Sequence, residues 1–330
     1  MKLLNFLADG QAHFGLAVDG YAVPFTALQA HERTSFPELE SIYTYLESLP
    51  ESFEHASMLA DRVPGLIELG DTQGMYPIIG VRILPPIPKP AALLDFALTP
   101  RHLVNSMRTM LRHEFGSLAS RLVSSLLEKR MYRMSSSPTP PYYKGNHLSV
   151  IGDHDEIGWP SYTSYPDIEP ELAILTGRPG HKIAGYMIFN DASARDVQFP
   201  EMFGSGPARS KDFSKGNGLG PFLVTPDEIP DPLSLNVIAR VGERFVWKGS
   251  TLEYAVRPER VVDYFEGIFT LVPGVVLGMG TIPGCTGLDN DQWIEPGEIV
   301  EIMFEGLGTL HQKVPTVPAG LEKSRWEQRF

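Results

Sequence analysis

The chain has 330 residues, 42% apolar and 21% charged, enough length and ordinary composition for one large or two smaller globular domains. Its 28 basic and 40 acidic residues leave a net charge of −12, which does not suit nucleic acid and obliges any small anionic substrate to find a local positive centre. A lone cysteine, Cys285, excludes an intrachain disulfide and reads as a small buried or loop residue.

At the N-terminus the apolar run meets Asp9 too early for a secretory signal, and no later stretch approaches 18 apolar residues without a charge. No membrane partner is expected, and a cytoplasmic location is. Residues 3–7, 13–18 and 21–24 read as strands, with Asp19-Gly20 turning between the last two. Helical spacing follows over 36–46 and again over 53–69, where Pro64 should bend or divide the segment. Residues 78–84 read as a strand. The Pro-rich run 85–90 can continue neither a helix nor a central strand, so it marks a boundary between a small N-terminal domain (1–84) and a larger domain (91–330).

Beyond it, residues 93–96 form a short strand that closes on Asp95, and Thr99-Pro100 supplies an N-cap with proline in the first helical position. Residues 102–113 and 118–130 read as helices. From 138 to 310 short apolar runs alternate with Gly, Pro and Asp turns, so the larger domain should be rich in strands and the fold class α+β.

Familiar catalytic templates fail. The glycines of 215–221 have the wrong spacing for a phosphate loop, His113-Glu114 lacks the second histidine of a zinc-protease helix, and no G-x-S-x-G elbow exists. Acidic residues remain. Glu169 and Glu171 stand two apart, so in an extended strand they point the same way about 6.5–7 Å apart. Asp191 ends the next apolar run. At ~4 Å and an effective dielectric of about 20, two such charges repel by on the order of 4 kcal/mol, so a buried cluster needs a proton or a cation. An oxygen-rich set suits a hard divalent ion, Mg2+ before Zn2+. Asp95 and His102, seven apart, can face one pocket mouth, and a neutral imidazole there can serve as a base. Arg195 can clamp a carboxylate, or pair with Asp196 or Glu201.

Six segments share one pattern: Glu169-x-Glu171, the run Asn190 to Gln198, Ser210-Lys211-Asp212-Phe213, Leu219-Gly220-Pro221-Phe222, Gly280 to Gly284 and Glu305 to Leu310. Together, and in this order, they resemble the fumarylacetoacetate hydrolase family over residues 90–315. The N-terminal unit is similar to that family's appended domain only in size and position. The resemblance implies a mixed β-sandwich roll as catalytic domain, a homodimer, and a divalent ion, usually Mg2+ or Ca2+ with Mn2+ possible. It places the metal ligands at Asp95, Glu169, Glu171 and Asp191, the general base at His102, and the cation that neutralises developing charge at Lys211. It places substrate contacts at Tyr143, Arg195, Gln198 and Thr281.

The pattern departs in two places. Many members carry a glutamate three residues after the histidine, where this chain has Asn105. A late glutamate that supports the base elsewhere in the family has no clear counterpart; Asp289, Asp291 and Glu295 are candidates, each reading as a solvated turn. The function so implied is metal-dependent hydrolysis of a C–C bond in a β-diketo acid, an acylpyruvate or fumarylacetoacetate-like compound. The rival readings are a 2-oxoacid decarboxylase, hydratase or isomerase of the same fold, and an idle metal-dependent binding protein.

Overall fold

In the computed structural model, which describes residues 1–204 and 206–330 apart from the side chains at 119, 121, 122 and 124–127, the chain folds around one large mixed sheet. Its principal strands lie in the order 21–24, 11–18, 2–8, 217–224, 181–191, 170–178, 275–281, 92–96, 142–145. Neighbours are antiparallel except that 92–96 runs parallel to 275–281 and the short 150–151 runs parallel to 217–224. A second, four-stranded sheet (245–250, 236–241, 299–304, 308–313) packs against it. The α+β, strand-rich class expected from the sequence is the class observed.

Side chains on a strand alternate faces, and both faces of this sheet are apolar. Leu94, Leu172, Ile174, Ile188 and Leu277 cluster with Val237, Ala239, Val300 and Ile302 of the second sheet. Their neighbours Leu93, Ala173, Leu175, Met187, Phe189 and Val276 cluster instead with Leu28, Ile42, Tyr45, Leu46 and Leu59 from the N-terminal helices. The first 84 residues therefore cover one face of the sheet that the rest of the chain builds, and the strand Lys2–Ala8 extends it by pairing with Asn217–Val224.

Locally, Asp19 and Gly20 take φ of 47° and 81°, the backbone that a two-residue hairpin between Val18 and Tyr21 requires. Residues 36–46 are not one helix: a 3-10 turn at Pro37–Leu39 gives way at Ser41, whose capping box with Thr44 starts a new helix Ile42–Glu47. Pro64 divides the next segment into Glu51–Ala60 and Val63–Glu68, as its missing N–H demands. The strand expected over 78–84 is shorter, a 3-10 turn Ile78–Gly80 and then Arg82–Leu84. The two helices beyond Pro100 are longer than their apolar spacing indicates, Pro100–Phe115 and Ser117–Ser135. Cys285 is buried, and burial pushes its thiol pKa up to about 12, consistent with an inert core residue.

If residues 1–84 and 91–330 were independent folding units, the latter should be soluble alone. The shared sheet leads to the opposite expectation. Removing 1–84 uncovers Leu93, Leu175, Met187, Phe189 and Val276, each worth about 1.5–3 kcal/mol when buried, against a total stability of roughly 5–15 kcal/mol. The 91–330 fragment is expected to aggregate or lack a cooperative melting transition; a sharp transition near that of the full chain would refute this.

Candidate active site

Three strands of the large sheet, two adjacent and the third one strand further on, each place a carboxylate on the same face. By the two-residue period Asp191 follows Met187 and Phe189, Glu171 shares the side of Ala173 and Leu175, and Asp95 that of Leu93. Asp95, Glu171 and Asp191 bring oxygens within 4.8 Å of one another, all three buried. The strand Val275–Thr281 runs between the Glu171 and Asp95 strands and contributes Gly278 at this level. A Cβ there would meet Asp95 Oδ1 at 2.7 Å and Glu171 Oε2 at 2.8 Å, so the hollow exists because this residue has no side chain. Asp95 Oδ1 and Asp191 Oδ1 have no hydrogen-bond partner, whereas Glu171 accepts from the Gly280 N–H (2.8 Å) and the Thr281 hydroxyl (3.2 Å).

Burial, and then the charge of Asp191, pushes the Asp95 pKa up to about 8; burial and then Asp95 hold Glu171 well above the carboxylate range. Asp191 is also raised by burial, against the pull of Lys211. Two orphaned acceptor oxygens and three reluctant carboxylates are what a hard divalent cation would satisfy. The acidic groups can hold one.

Glu169 does not join this trio. It lies just before the strand Pro170–Arg178, and its oxygens accept from Lys211 Nζ (2.5 Å) and from Arg195 Nη1. Burial alone would raise its pKa, but Arg195 and Lys211 outweigh burial and hold it below the ordinary range. The two glutamates that sequence spacing places side by side thus part company, one to the carboxylate cluster and one to the cations. Lys211 also donates to Asp191 Oδ2 (2.5 Å) and is held strongly protonated, burial notwithstanding, by Asp191 and Glu169.

Arg195 is fully buried. It pairs with neither Asp196 nor Glu201: Nε donates to Asp167 (2.8 Å) and Nη1 to Glu169 and to Gln198 Oε1 (3.1 Å), while Nη2 has no partner. Asp196 instead accepts from Thr163 and Ser324, and Glu201 from the backbone of Ala208 to Ser210. Tyr143 donates to Asp191 Oδ2 (2.5 Å). Tyr143, Arg195, Gln198 and Thr281 all line the same cavity of about 440 Å³, together with Asp95, His102, Glu169 and Lys211.

His102 opens the helix Pro100–Phe115. Thr99, in the N-cap position, does not cap that helix with its side chain; its hydroxyl donates to the Thr281 carbonyl (2.7 Å) and ties the helix to the central strand. His102 Nδ1 lies 2.8 Å from Asp289 Oδ1, and its Nε2 lies 3.7 Å from Glu169. Since a carboxylate only accepts, Nδ1 carries the hydrogen and Nε2 keeps a lone pair. Asp289 is no solvated turn: its side chain is wholly buried, held by the Gly284 N–H (2.7 Å) and Asn105 Nδ2 (3.3 Å). Asn105, the departure from the family pattern, supports the carboxylate that orients the histidine. Of the other two candidates, Asp291 binds His113 and Arg112, and Glu295 binds Arg244. Thr286-x-x-Asp289 is a helix-capping pattern, with Thr286 Oγ1 accepting from Asp289 N (2.9 Å), and is the sequence signal by which the 287–290 turn could have been found.

Asp167 was also invisible to motif reading. It accepts from Arg195 Nε and from the Gly287 and Leu288 N–H groups (2.8 and 3.0 Å), joining the cation cluster to the turn that bears Asp289. A second group of ligand-type side chains, Asp153, His154 and His311, is bonded within itself, with the His311 backbone N–H donating to Asp153 (2.6 Å).

Residues 119–315 match the sequence family described as fumarylacetoacetate (FAA) hydrolase, C-terminal, which is more than half of the chain. The chain belongs to this family. A curated relative, 2,4-didehydro-3-deoxy-L-rhamnonate hydrolase of Sphingomonas sp. (strain SKA58), is 31% identical over 195 residues, 54% of this chain and 66% of that protein. The chain spans between about half and two thirds of the length of the curated relatives that it matches. Among solved structures, maleylpyruvate hydrolase of Sphingobium sp. SYK-6 in complex with manganese(II) and pyruvate has a TM-score of 0.67 at 17% identity, covering 96% of this chain and 100% of that one. A 2-hydroxyhepta-2,4-diene-1,7-dioate isomerase of Mycobacterium marinum has a TM-score of 0.62 at 21% identity, covering 96% and 98%. The family fold thus serves both hydrolases and isomerases. No helix among the described residues is long and apolar enough to cross a membrane.

A direct test of the cation site is Gly278→Ala. The added methyl group would stand 2.7–2.8 Å from two of the three carboxylates, so Mg2+ and Mn2+ affinity measured by calorimetry is expected to fall at least about tenfold. Unchanged affinity would remove the site from this hollow.

Proposed function

We propose that this protein is a divalent-metal-dependent hydrolase that cleaves a C–C bond in a β-diketo acid of the acylpyruvate or fumarylacetoacetate type. Mg2+ is the favoured ion, with Mn2+ or Ca2+ as substitutes, and Asp95, Glu171 and Asp191 hold it, Glu169 acting beside them through Lys211 and Arg195. The observation that carries hydrolysis over decarboxylation is the buried His102–Asp289 pair. Breaking a bond with water needs an oriented base, whereas decarboxylation does not.

The bound cation would supply positive charge for the 2-oxo acid end of the substrate and for the enolate that leaves. His102 Nε2 takes a proton from water, and the resulting hydroxide adds to the 4-carbonyl carbon. The C3–C4 bond then breaks, its electron pair passing to the pyruvate enolate, whose C3 recovers the proton from the imidazolium. The net reaction consumes one water and yields a carboxylic acid and pyruvate. Lys211 Nζ, already against Glu169 and Asp191, donates toward the developing negative charge, the kind of stabilisation worth about 2.7–4 kcal/mol per donor. Tyr143 and Thr281 spend their hydroxyl hydrogens on Asp191 and Glu171 and fix those carboxylates, while the Gln198 amide and the unpaired Arg195 Nη2 offer donors to the substrate. Asp289 holds the histidine in the tautomer that can accept.

Product analysis tests this. With Mg2+ and 2,4-dioxopentanoate the expected products are acetate and pyruvate in equal amounts. Carbon dioxide from this substrate or from oxaloacetate, without acetate, would establish the decarboxylase reading; binding without any product would leave a binding protein.

A further inference from the structure

The inner end of the cavity is polar, but its outer wall is not. Leu103, Met107, Met110, Met131, Met134 and Phe203 line it, drawn from the helices Pro100–Phe115 and Ser117–Ser135 and from the loop after Arg195–Glu201. Met107 and Met110 are buried, while Phe203, 73% exposed, stands at the mouth. The polar groups nearest this wall are engaged: Ser106 lies against His102 and Asp289, and Gln198 accepts from Arg195. The buried cations Lys211 and Arg195 pair with Glu169, Asp191 and Asp167, and the one nitrogen they leave unpaired, Arg195 Nη2, stands beside those carboxylates. Among the described residues that line the cavity, Arg130, on the exposed side of its helix, is the one cation without an ion pair.

Resting on the hydrolase reading, we infer that the acyl group beyond the scissile bond is bulky, uncharged and apolar, an aryl ring being the best fit. A cavity of about 440 Å³ exceeds what the chelating 2-oxo acid end and a methyl group fill. A terminal carboxylate placed against this wall would meet thioethers, a leucine and a phenyl ring, none of which donates to it, and such a group is expelled from an apolar wall. Methionine sulfurs adapt to irregular flat ligands and make favourable contacts with ring edges. The four methionines on two adjacent helices thus form a specificity surface in the same cavity as the groups that do the chemistry.

The test uses the full chain with Mg2+ and two inert chelating probes of matched head group, N-phenyloxamate and N-oxalylglycine, bound in a calorimeter. In parallel, kcat/KM is measured for 2,4-dioxopentanoate, 2,4-dioxo-4-phenylbutanoate and a 2,4-dioxoalkanedioate. The expected result is that N-phenyloxamate binds at least about tenfold tighter than N-oxalylglycine, and that the phenyl substrate exceeds the methyl one by about 10- to 100-fold in kcat/KM. Met131→Lys, a change on a half-buried helical position, should narrow or reverse the probe preference, and Arg130→Ala should leave it unaltered. Tighter binding of N-oxalylglycine, its loss in Arg130→Ala, or no binding of either probe would overturn the inference. If N-phenyloxamate binds tighter but no diketo acid is cleaved, the hydrolase reading fails while the apolar specificity stands.

Discussion

Asp289→Asn is expected to lower kcat for diketo acid cleavage by about 10²- to 10⁴-fold, the range lost when an oriented base loses its partner or its tautomer. The amide preserves the shape but can donate as well as accept. It can therefore turn its NH2 toward Nδ1, and the imidazole then carries its hydrogen on Nε2, the nitrogen that must accept from water. Gly284 N–H and Asn105 fix the other oxygen, so the turn itself should persist. His102→Ala removes the base and should reduce kcat at least as far. In both variants Mg2+ affinity and the melting temperature should remain near those of the parent, because neither residue is among the three carboxylates of the cation site. A rise in KM alone, with kcat preserved, would show that His102 is a binding group and would return the decarboxylase or isomerase reading to favour.

The second large effect concerns the metal-free protein. Asp95 has a pKa of about 8, and Glu171 is also raised, both chiefly by burial. An acid whose pKa is raised on folding holds its proton better in the native state than in the unfolded chain, whose aspartate titrates near ~4. Its contribution to stability is complete below that value and is lost as pH rises toward and through about 8. In EDTA the melting temperature should therefore drop steadily between pH 5 and pH 9. Saturating Mg2+ takes the place of those protons, so its stabilisation should grow over the same interval and its binding should release protons. Scanning calorimetry at several pH values, with and without Mg2+, checks this. Parallel curves would show that these acids are neither coupled to one another nor linked to a cation.

What the sequence disclosed and what it withheld divide along physical lines. The strand patterns, the Asp19-Gly20 turn and the break at Pro64 depend on local backbone preferences, which neighbouring residues carry. Glu171, Asp191 and Lys211 were nameable from ordered motifs, and Asp95 and His102 from their seven-residue spacing; Asp95, His102 and Lys211 line one cavity, with Glu171 and Asp191 clustered against Asp95. The fate of Glu169 was not legible: whether it faces the carboxylate trio or the cations depends on where Pro170–Arg178 begins relative to Lys211, a matter of tertiary packing. Asp289 was misread for a related reason. A polar turn is solvated unless something covers it, and here the helix Pro100–Phe115 does. Gly278 carried no signal at all, since its role is the space it leaves between strands that are distant in the chain.

One residue joins the two halves of this site. The Thr281 carbonyl receives the Thr99 hydroxyl at the foot of the histidine-bearing helix, and the Thr281 hydroxyl reaches Glu171. A single peptide unit thus serves as the ruler between proton acceptor and cation cradle. The distance between imidazole and carboxylate cluster is thus fixed through two hydrogen bonds to one residue rather than through the packing of separate elements.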